Sequence, residues 1–318
     1  MAQIRLPAGY TARPLDPDAD LPDLLDLLTA CERDLHGPAA PAADPGELAA
    51  VLARPGFDPA VDTVLVHGPD GRLAAWAWSE RRCECRVHPA HRGRRLGTGL
   101  LGWIEGRAVE QGAEKLVQVV ADLDATGLAM LRTYGYRPKG ASWLLGIALD
   151  DLPEPPPPPA GITIRPFRSG DPDDERAAHR VVEEAFADWK ARRLPFEEWA
   201  QHAVHRETFA PERSPLAIAD GDGETDGGTG GRVVGVALAL DQPGSADGYV
   251  ESLAVDRAHR NRGIARLLLQ HTFRACRDAG LSHCTLWTHS GTGAIDLYLK
   301  VGMTVRYTSV VLEKTLPR

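Results

Sequence analysis

Cysteine is scarce: five in 318 residues, at Cys31, Cys83, Cys85, Cys276 and Cys284. The number is odd and the spacing is not that of paired metal ligands, which excludes a disulfide framework and a zinc site. Cys83-x-Cys85 places two thiols on one face of a strand with no further ligands nearby in sequence. Reduced thiols and no metal are expected. Long apolar runs are absent too, since nothing approaches the ~20 residues that span a bilayer. The start, Met1 to Pro7, has no signal-peptide core. A cytoplasmic protein without membrane contact is expected. An excess of positive charge is also missing. The net charge of −8 argues against a nucleic-acid partner, because phosphate neutralisation needs a basic face.

What is present suits a globular protein, with 43% hydrophobic and 25% charged residues. The length fits two domains of ~100–150 residues better than one. Pro155 to Pro159 are five consecutive prolines, a run that adopts extended polyproline II and serves as a semi-rigid spacer. Three segments follow: an N-terminal domain over 1–150, a Pro-rich linker over 151–161 and a C-terminal domain over 162–318.

The halves repeat each other. Tyr10 to Leu15 opens the first as Ile162 to Phe167 opens the second. At one constant offset and without gaps, Val87 falls on Val255, His91 on His259, Arg92 on Arg260 and Arg94 on Arg262. Leu100, Leu101 and Gly112 fall on Leu268, Leu269 and Gly280. This is a tandem duplication. An internal duplication can replace a homodimer, so a monomer is expected.

In the second half the pattern predicts an opening strand at Ile162–Phe167 and helices over Asp174–Lys190 and from Pro195 through Trp199. Strands at Leu216–Ala219, Val233–Leu240 and Tyr249–Val255 are separated by Gly/Asp-rich loops, with 221–231 expected to be mobile. A long helix follows over Gly263–Asp278, then a strand at Cys284–Thr288, a short helix at Ala294–Lys300 and a final strand at Thr304–Leu312.

The informative junction is Glu251 to Val255, a strand, then Asp256–His259, then Arg260-Asn261-Arg262-Gly263-Ile264-Ala265 opening an apolar helix. The first amides of a helix are unpaired, and its dipole favours an anion there. Gly263 and Ala265 leave room for a diphosphate, and Arg260 or Arg262 supplies charge.

Arg-x-x-Gly-x-Ala after a strand, with Leu297-Tyr298-Leu299-Lys300-Val301-Gly302 downstream, resembles the GNAT superfamily of acetyltransferases. The resemblance implies an α/β (α+β, mixed-sheet) fold: two tandem domains, each a mixed, mostly antiparallel sheet flanked by helices and splayed between its fourth and fifth strands. It implies acetyl-CoA as co-substrate, its pantetheine arm on the backbone of Leu253, Ala254 and Val255. The diphosphate would meet the amides of Asn261, Arg262, Gly263, Ile264, Ala265 and Arg266. Transfer would be direct, to a primary amine of a small molecule. Glu251 is the candidate base, directly or through water, and alternation places it on the face of Leu253 and Val255. Otherwise it is a charge at a strand end. Tyr298 matches the family tyrosine that protonates the leaving thiolate; otherwise it is core. Gly291 stands where many members carry an asparagine.

In the first copy Cys83 stands at the Glu251 position, Leu131 at that of Tyr298 and Arg95 at that of Gly263. The first copy is therefore expected to be degenerate and the second catalytic. Gly97-x-Gly99-x-x-Gly102 fits a dinucleotide fingerprint, but the segment ahead of it is basic rather than an apolar strand. His202-x-x-His205 lacks a third metal ligand. His289 is a candidate for proton transfer or, more simply, a structural histidine; Trp189, Trp199 and the loop after Asp241 are candidate pocket walls, the aromatics equally candidates for the core. Competing readings are a non-catalytic acyl-CoA sensor or scaffold and a protein-amine acetyltransferase.

Overall fold

The computed structural model describes residues 4–38, 40, 42–53, 56–80, 82–187, 192–220, 231–242 and 245–317. In chain order the first half forms β1 (Thr11–Arg13), α1 (Pro17–His36), α2 (Pro45–Leu52), α3 (Pro59–Asp62), β2 (Thr63–His67) and β3 (Leu73–Ser79). It continues with β4 (Arg82–Val87), α4 (Leu96–Glu110), β5 (Lys115–Ala121), α5 (Ala125–Thr133) and β6 (Arg137–Ala148). The second half forms β7 (Ile162–Pro166), α6 (Pro172–Ala185), α7 (Phe196–Ala203), β8 (Pro215–Ala219) and β9 (Arg232–Asp241). It ends with β10 (Asp247–Val255), α8 (Ile264–Asp278), β11 (His283–His289), α9 (Ile295–Lys300) and β12 (Thr304–Thr315). The segment 221–230, most of the expected mobile loop, lies outside the described residues.

Two compact units result, Met1–Ala141 with Ser309–Arg318, and Ser142–Thr308. The first has strand order β1-β2-β3-β4-β5-β12 and the second β7-β8-β9-β10-β11-β6. Both sheets are mixed and mostly antiparallel, as the resemblance implied; β4–β5 and β10–β11 are parallel.

The structure draws the unit boundary differently from the division at the prolines, because each half gives its last strand to the other unit. Ser142–Ala148 of β6 pairs antiparallel with β11, and Ser309–Thr315 of β12 pairs with β5. A fifth strand left without that neighbour would carry unsatisfied amides and carbonyls. The exchange is also packed. Leu145 and Leu149 are fully buried with Phe273 and Leu286 in the second unit, and Leu312 with Leu100 and Ile104 in the first. Nor is the proline segment a free spacer. Glu154 pairs with Arg274, Arg262 donates to the Ala160 carbonyl at 3.1 Å, and the Ile162 amide bonds the Pro159 carbonyl at 3.0 Å. The segment therefore belongs to the second unit, held against α8.

Helix packing on the two faces of the second sheet is set by sequence period. Leu216, Val236, Leu238 and Ala254 face α6 and α7 with Val181, Val182 and Trp199. Ala237 and Val255 face α8, against Ile264 and Leu268. Both units clasp their first strand to their first helix in the same way. Arg13 donates to Asp20 at 2.6 and 2.5 Å, and Arg165 to Asp174 at 2.6 and 2.5 Å. Burial alone would push the Asp174 carboxyl up, but the hydrogen bonds from Arg165 and Arg168 outweigh it and hold it far below the usual carboxylate range.

The duplication reaches single dihedral angles. In the loop before α4, Gly93 and Arg95 are left-handed (φ 74° and 64°); before α8, Asn261 and Gly263 are (61° and 83°). The backbone shape is kept while the glycine changes place. Gly263→Ala is expected to cost about 1 kcal/mol in urea unfolding although its Cβ would meet nothing within 4 Å, because the strain lies in φ. Leu312→Ala is expected to cost ~2–5 kcal/mol. Hydrogen exchange should then loosen Lys115–Ala121 of the first unit while His283–His289 keeps its protection.

Candidate active site

In the second unit β10 and β11 are held together by three rungs only, Asp247 to His283, Gly248 to Cys284 and Tyr249 to Thr285. Beyond Tyr249 the two strands part. Each keeps its other neighbour: β10 stays on β9 through Val255, and β11 stays on β6 through His289. The split is therefore fixed from both sides. It leaves the inner edge of Leu253, Ala254 and Val255 facing a gap, the stretch to which the family resemblance assigns the pantetheine arm. One carbonyl on that stretch is occupied, since Arg260 Nε donates to Val255 at 3.1 Å.

Above the gap, β10 passes through a 3-10 turn at Arg257–His259 into α8. Aspartate side chains cap α1, α2, α3, α5 and α6. No side chain caps α8. Its first intrahelical bond is the Leu267 amide to the Gly263 carbonyl at 3.0 Å, so the amides of Ile264, Ala265 and Arg266 precede the helical ladder. They open beside a glycine whose missing side chain leaves clear space. This fits a diphosphate.

The arginines divide their work. Arg260 also donates to the Ala185 carbonyl at 3.3 Å, so its guanidinium braces the loop. Arg262 reaches the linker. Arg266 lines a cavity of about 600 Å³ with Gln270, Lys300, Ile147 and Asp150. The Gln270 amide oxygen is buried without a partner among the described residues. Neither Gln270 nor Lys300 was singled out from sequence, where a polar residue on a long helix carries no distinguishing pattern.

Glu251 sits on a β-bulge. The register on β9 steps from Val250–Ala239 to Ser252–Leu238, leaving Glu251 without a partner. The bulge corrects the alternation argument. Val250 packs with Leu269 and Phe273 on the α8 side, the side of Leu253 and Val255. Simple alternation therefore does not fix the face of Glu251, whose carboxylate feels the charge of Arg206, just past α7. Its side chain is accessible to solvent. The protein around the split nevertheless desolvates the carboxylate and pushes its pKa up, with Arg206 opposing. No sequence spacing announces Arg206 as a neighbour.

Tyr298, on α9, is 8% exposed and packs in one cluster with Val250, Leu253 and Leu286. Burial pushes its phenol up, while its hydrogen bond to Thr288 pulls the other way. Thr288 is in turn bonded to Thr292 at 2.9 Å. The hydroxyl is thus held protonated and oriented beside β11. Gly291 lies in the 3-10 turn just before this helix.

In the first unit, the Cys83 thiol donates to the Val117 carbonyl at 3.6 Å, and burial pushes its pKa far up. Leu131 is 2% exposed in the core. The glycines of the dinucleotide-like run fall inside α4. Of the two readings open for Trp199, pocket wall or core, the structure selects core, 4% exposed against His179. Trp189 and residues 243–244 after Asp241 lie outside the described residues. His205 pairs with Glu175 at 3.0 Å. Among the described residues no group of three His, Cys, Asp or Glu is placed to hold a metal, and no helix is long and apolar enough to cross a membrane.

Residues 21–136 and 179–303 match the acetyltransferase (GNAT) family. The mycothiol acetyltransferase of Nocardia farcinica is 30% identical over 269 residues, covering 80% of this chain and 83% of its own. That of Nocardiopsis dassonvillei is 30% identical over 270 residues, covering 76% and 78%. A GCN5-related N-acetyltransferase from Sphaerobacter thermophilus superposes with a TM-score of 0.81 at 32% identity, covering 99% of this chain and 98% of its own. A tandem GNAT protein from the clavulanic acid biosynthesis pathway shares the fold, with a TM-score of 0.71 at 16% identity over 97% and 99% of the two chains. The chain belongs to the GNAT family of acetyltransferases and is an acetyl-CoA-dependent N-acetyltransferase with two such domains in tandem.

Proposed function

We propose that the second unit carries the chemistry, moving an acetyl group from acetyl-CoA directly to a primary amine of a small molecule. The observation behind this reading is the contrast between the copies. Around the same left-handed turn, the second has a carboxylate and a phenol where the aligned residues of the first are a buried thiol and a leucine. The first unit is then a degenerate copy retained for structure. The curated relatives, mycothiol acetyltransferases, favour a small acceptor over a protein one.

The amides of Ile264, Ala265 and Arg266 would hold the diphosphate, together with the backbone of Asn261, Arg262 and Gly263. The free edge of Leu253, Ala254 and Val255 would align the pantetheine arm with the split. Glu251 takes a proton from the acceptor ammonium, directly or through water. The freed amine attacks the thioester carbonyl and gives up its second N–H proton to water, the carbon–sulfur bond breaks, and the thiolate takes the Tyr298 phenolic proton, which water then restores. A carboxyl raised by desolvation is a stronger base than an ordinary glutamate, and a buried phenol remains an acid at neutral pH.

Since only ionised Glu251 accepts a proton, kcat/KM should rise with pH through a limb above the ordinary glutamate value of ~4.3. In Glu251→Gln that limb should vanish and activity fall ~10²–10⁴-fold. Tyr298→Phe should lower turnover by a similar factor, about a hundredfold or more, while calorimetry shows acetyl-CoA binding unchanged. A loss of tenfold or less would remove Tyr298 as the acid.

A further inference from the structure

In the transfer proposed above Tyr298 gives up its proton in every turnover and must regain it, although it is buried in an apolar cluster with Leu253, Leu286 and Phe273. A second buried hydroxyl stands beside it. Thr288, on β11, is 6% exposed. It shares the inward face of its strand with Cys284 and Leu286, which pack in the cluster of Tyr298. The phenol and the Thr288 hydroxyl are hydrogen-bonded. Thr288 is bonded in turn to Thr292 at 2.9 Å, and Thr292 lies half-buried in the 3-10 turn between β11 and α9. Three oxygens thus run from the core toward the surface.

Counting protons fixes the resting direction of this chain. A threonine hydroxyl has one proton to give and lone pairs to accept with. Thr292 donates to the His289 carbonyl at 2.9 Å and accepts from the Ala294 amide at 3.2 Å. Its proton is taken, so Thr288 is the donor in the bond between the two threonines. Thr288 then has only a lone pair for Tyr298, and the phenol donates to it. The two copies supply an independent observation. β5 begins at Lys115 and β11 at His283, and the sixth residues of these strands are Val120 and Thr288. Valine has the shape of threonine without the hydroxyl. Val120 packs against the cluster that holds Leu131, the residue at the Tyr298 position. The fold therefore accepts an apolar side chain here, and the hydroxyl is found in the copy that has the phenol.

We propose that Thr288 and Thr292 form a hydroxyl relay that returns to Tyr298 the proton it gives to the leaving thiolate. This rests on the transferase reading above, with Tyr298 as the acid. Once the thiolate has the phenolic proton, the two threonine hydroxyls turn inward, Thr292 leaving the His289 carbonyl. In one concerted shift the phenolate oxygen takes the Thr288 proton, Thr288 takes that of Thr292, and Thr292 takes one from water. The hydroxide left behind is neutralised by the proton that the amine released, and the hydroxyls turn back. Neither threonine touches a reacting atom, so both are positioning residues that act through Tyr298.

The test uses the full chain and acetyl-CoA with ethanolamine, 2-phenylethylamine, lysine and glucosamine, following thiol release after rapid mixing with the fastest of these acceptors. Thr288→Val should keep the first turnover within about threefold of wild type and slow the later ones roughly tenfold or more. Thiol release should then show a burst of about one equivalent per chain, absent from wild type. Thr288→Ser should remove the burst and restore turnover, while Thr292→Val should reproduce it. The KM for acetyl-CoA should stay within about threefold throughout. Steady turnover of Thr288→Val equal to wild type overturns the relay. A first turnover slowed as much as the later ones also overturns it, in favour of a threonine that only orients the phenol. Thr288→Ser no faster than Thr288→Val reduces the residue to packing and overturns it as well. Should Thr288→Val not fold, Thr292→Val carries the same burst test from the other end of the chain. Tyr298→Phe as active as wild type, or no thiol release by wild type with any of the amines, is a different result and removes the transferase reading on which the relay rests.

Discussion

Two parallel strands that stop pairing after three rungs organise the second unit. An unpaired strand edge normally seeks a partner, and the cheapest way to close this one would be to zip β10 onto β11. The fold prevents it by committing each strand's other edge elsewhere, to β9 on one side and to β6 on the other. Backbone hydrogen bonds are thereby left for a ligand that brings amides of its own. Pantetheine has that chemistry.

The electrostatics follow from the same opening. A helix start without a cap offers three amides to an anion, while five other helices spend an aspartate on theirs. A bulge turns one carboxylate out of the ladder and into a partly desolvated position, where its basicity rises. Packing α9 against β10 buries a phenol and keeps its proton on. Each group's protonation state is set by its surroundings, as the direct transfer proposed above would require.

Much of this was legible in the sequence. Period-2 and period-3.6 patterns located the strands and helices of the second half, and Gly263 marked the left-handed residue before α8. The helix expected to reach Lys190 ends at Ala185, and residues 188–191 lie outside the described ones. Other features were not readable for physical reasons. A bulge adds one residue without altering composition, so the face of Glu251 could not come from alternation. Arg260 looked like a phosphate ligand, but a guanidinium satisfies carbonyls equally well, and it took those of Val255 and Ala185. Trp199 has the same amphipathic spacing whether it walls a pocket or fills a core. The exchange of β6 and β12 leaves no local trace, because either strand has the alternation that either sheet needs.

That exchange bears on why both copies persist. Deleting the first half would also remove Ser142–Ala148, and with it the neighbour of β11 and the side chains of Leu145 and Leu149 from the second core. With strands traded between the duplicated halves, each unit depends on both for its sheet. The arrangement works as a ratchet: selection on either unit alone maintains the folding of both halves.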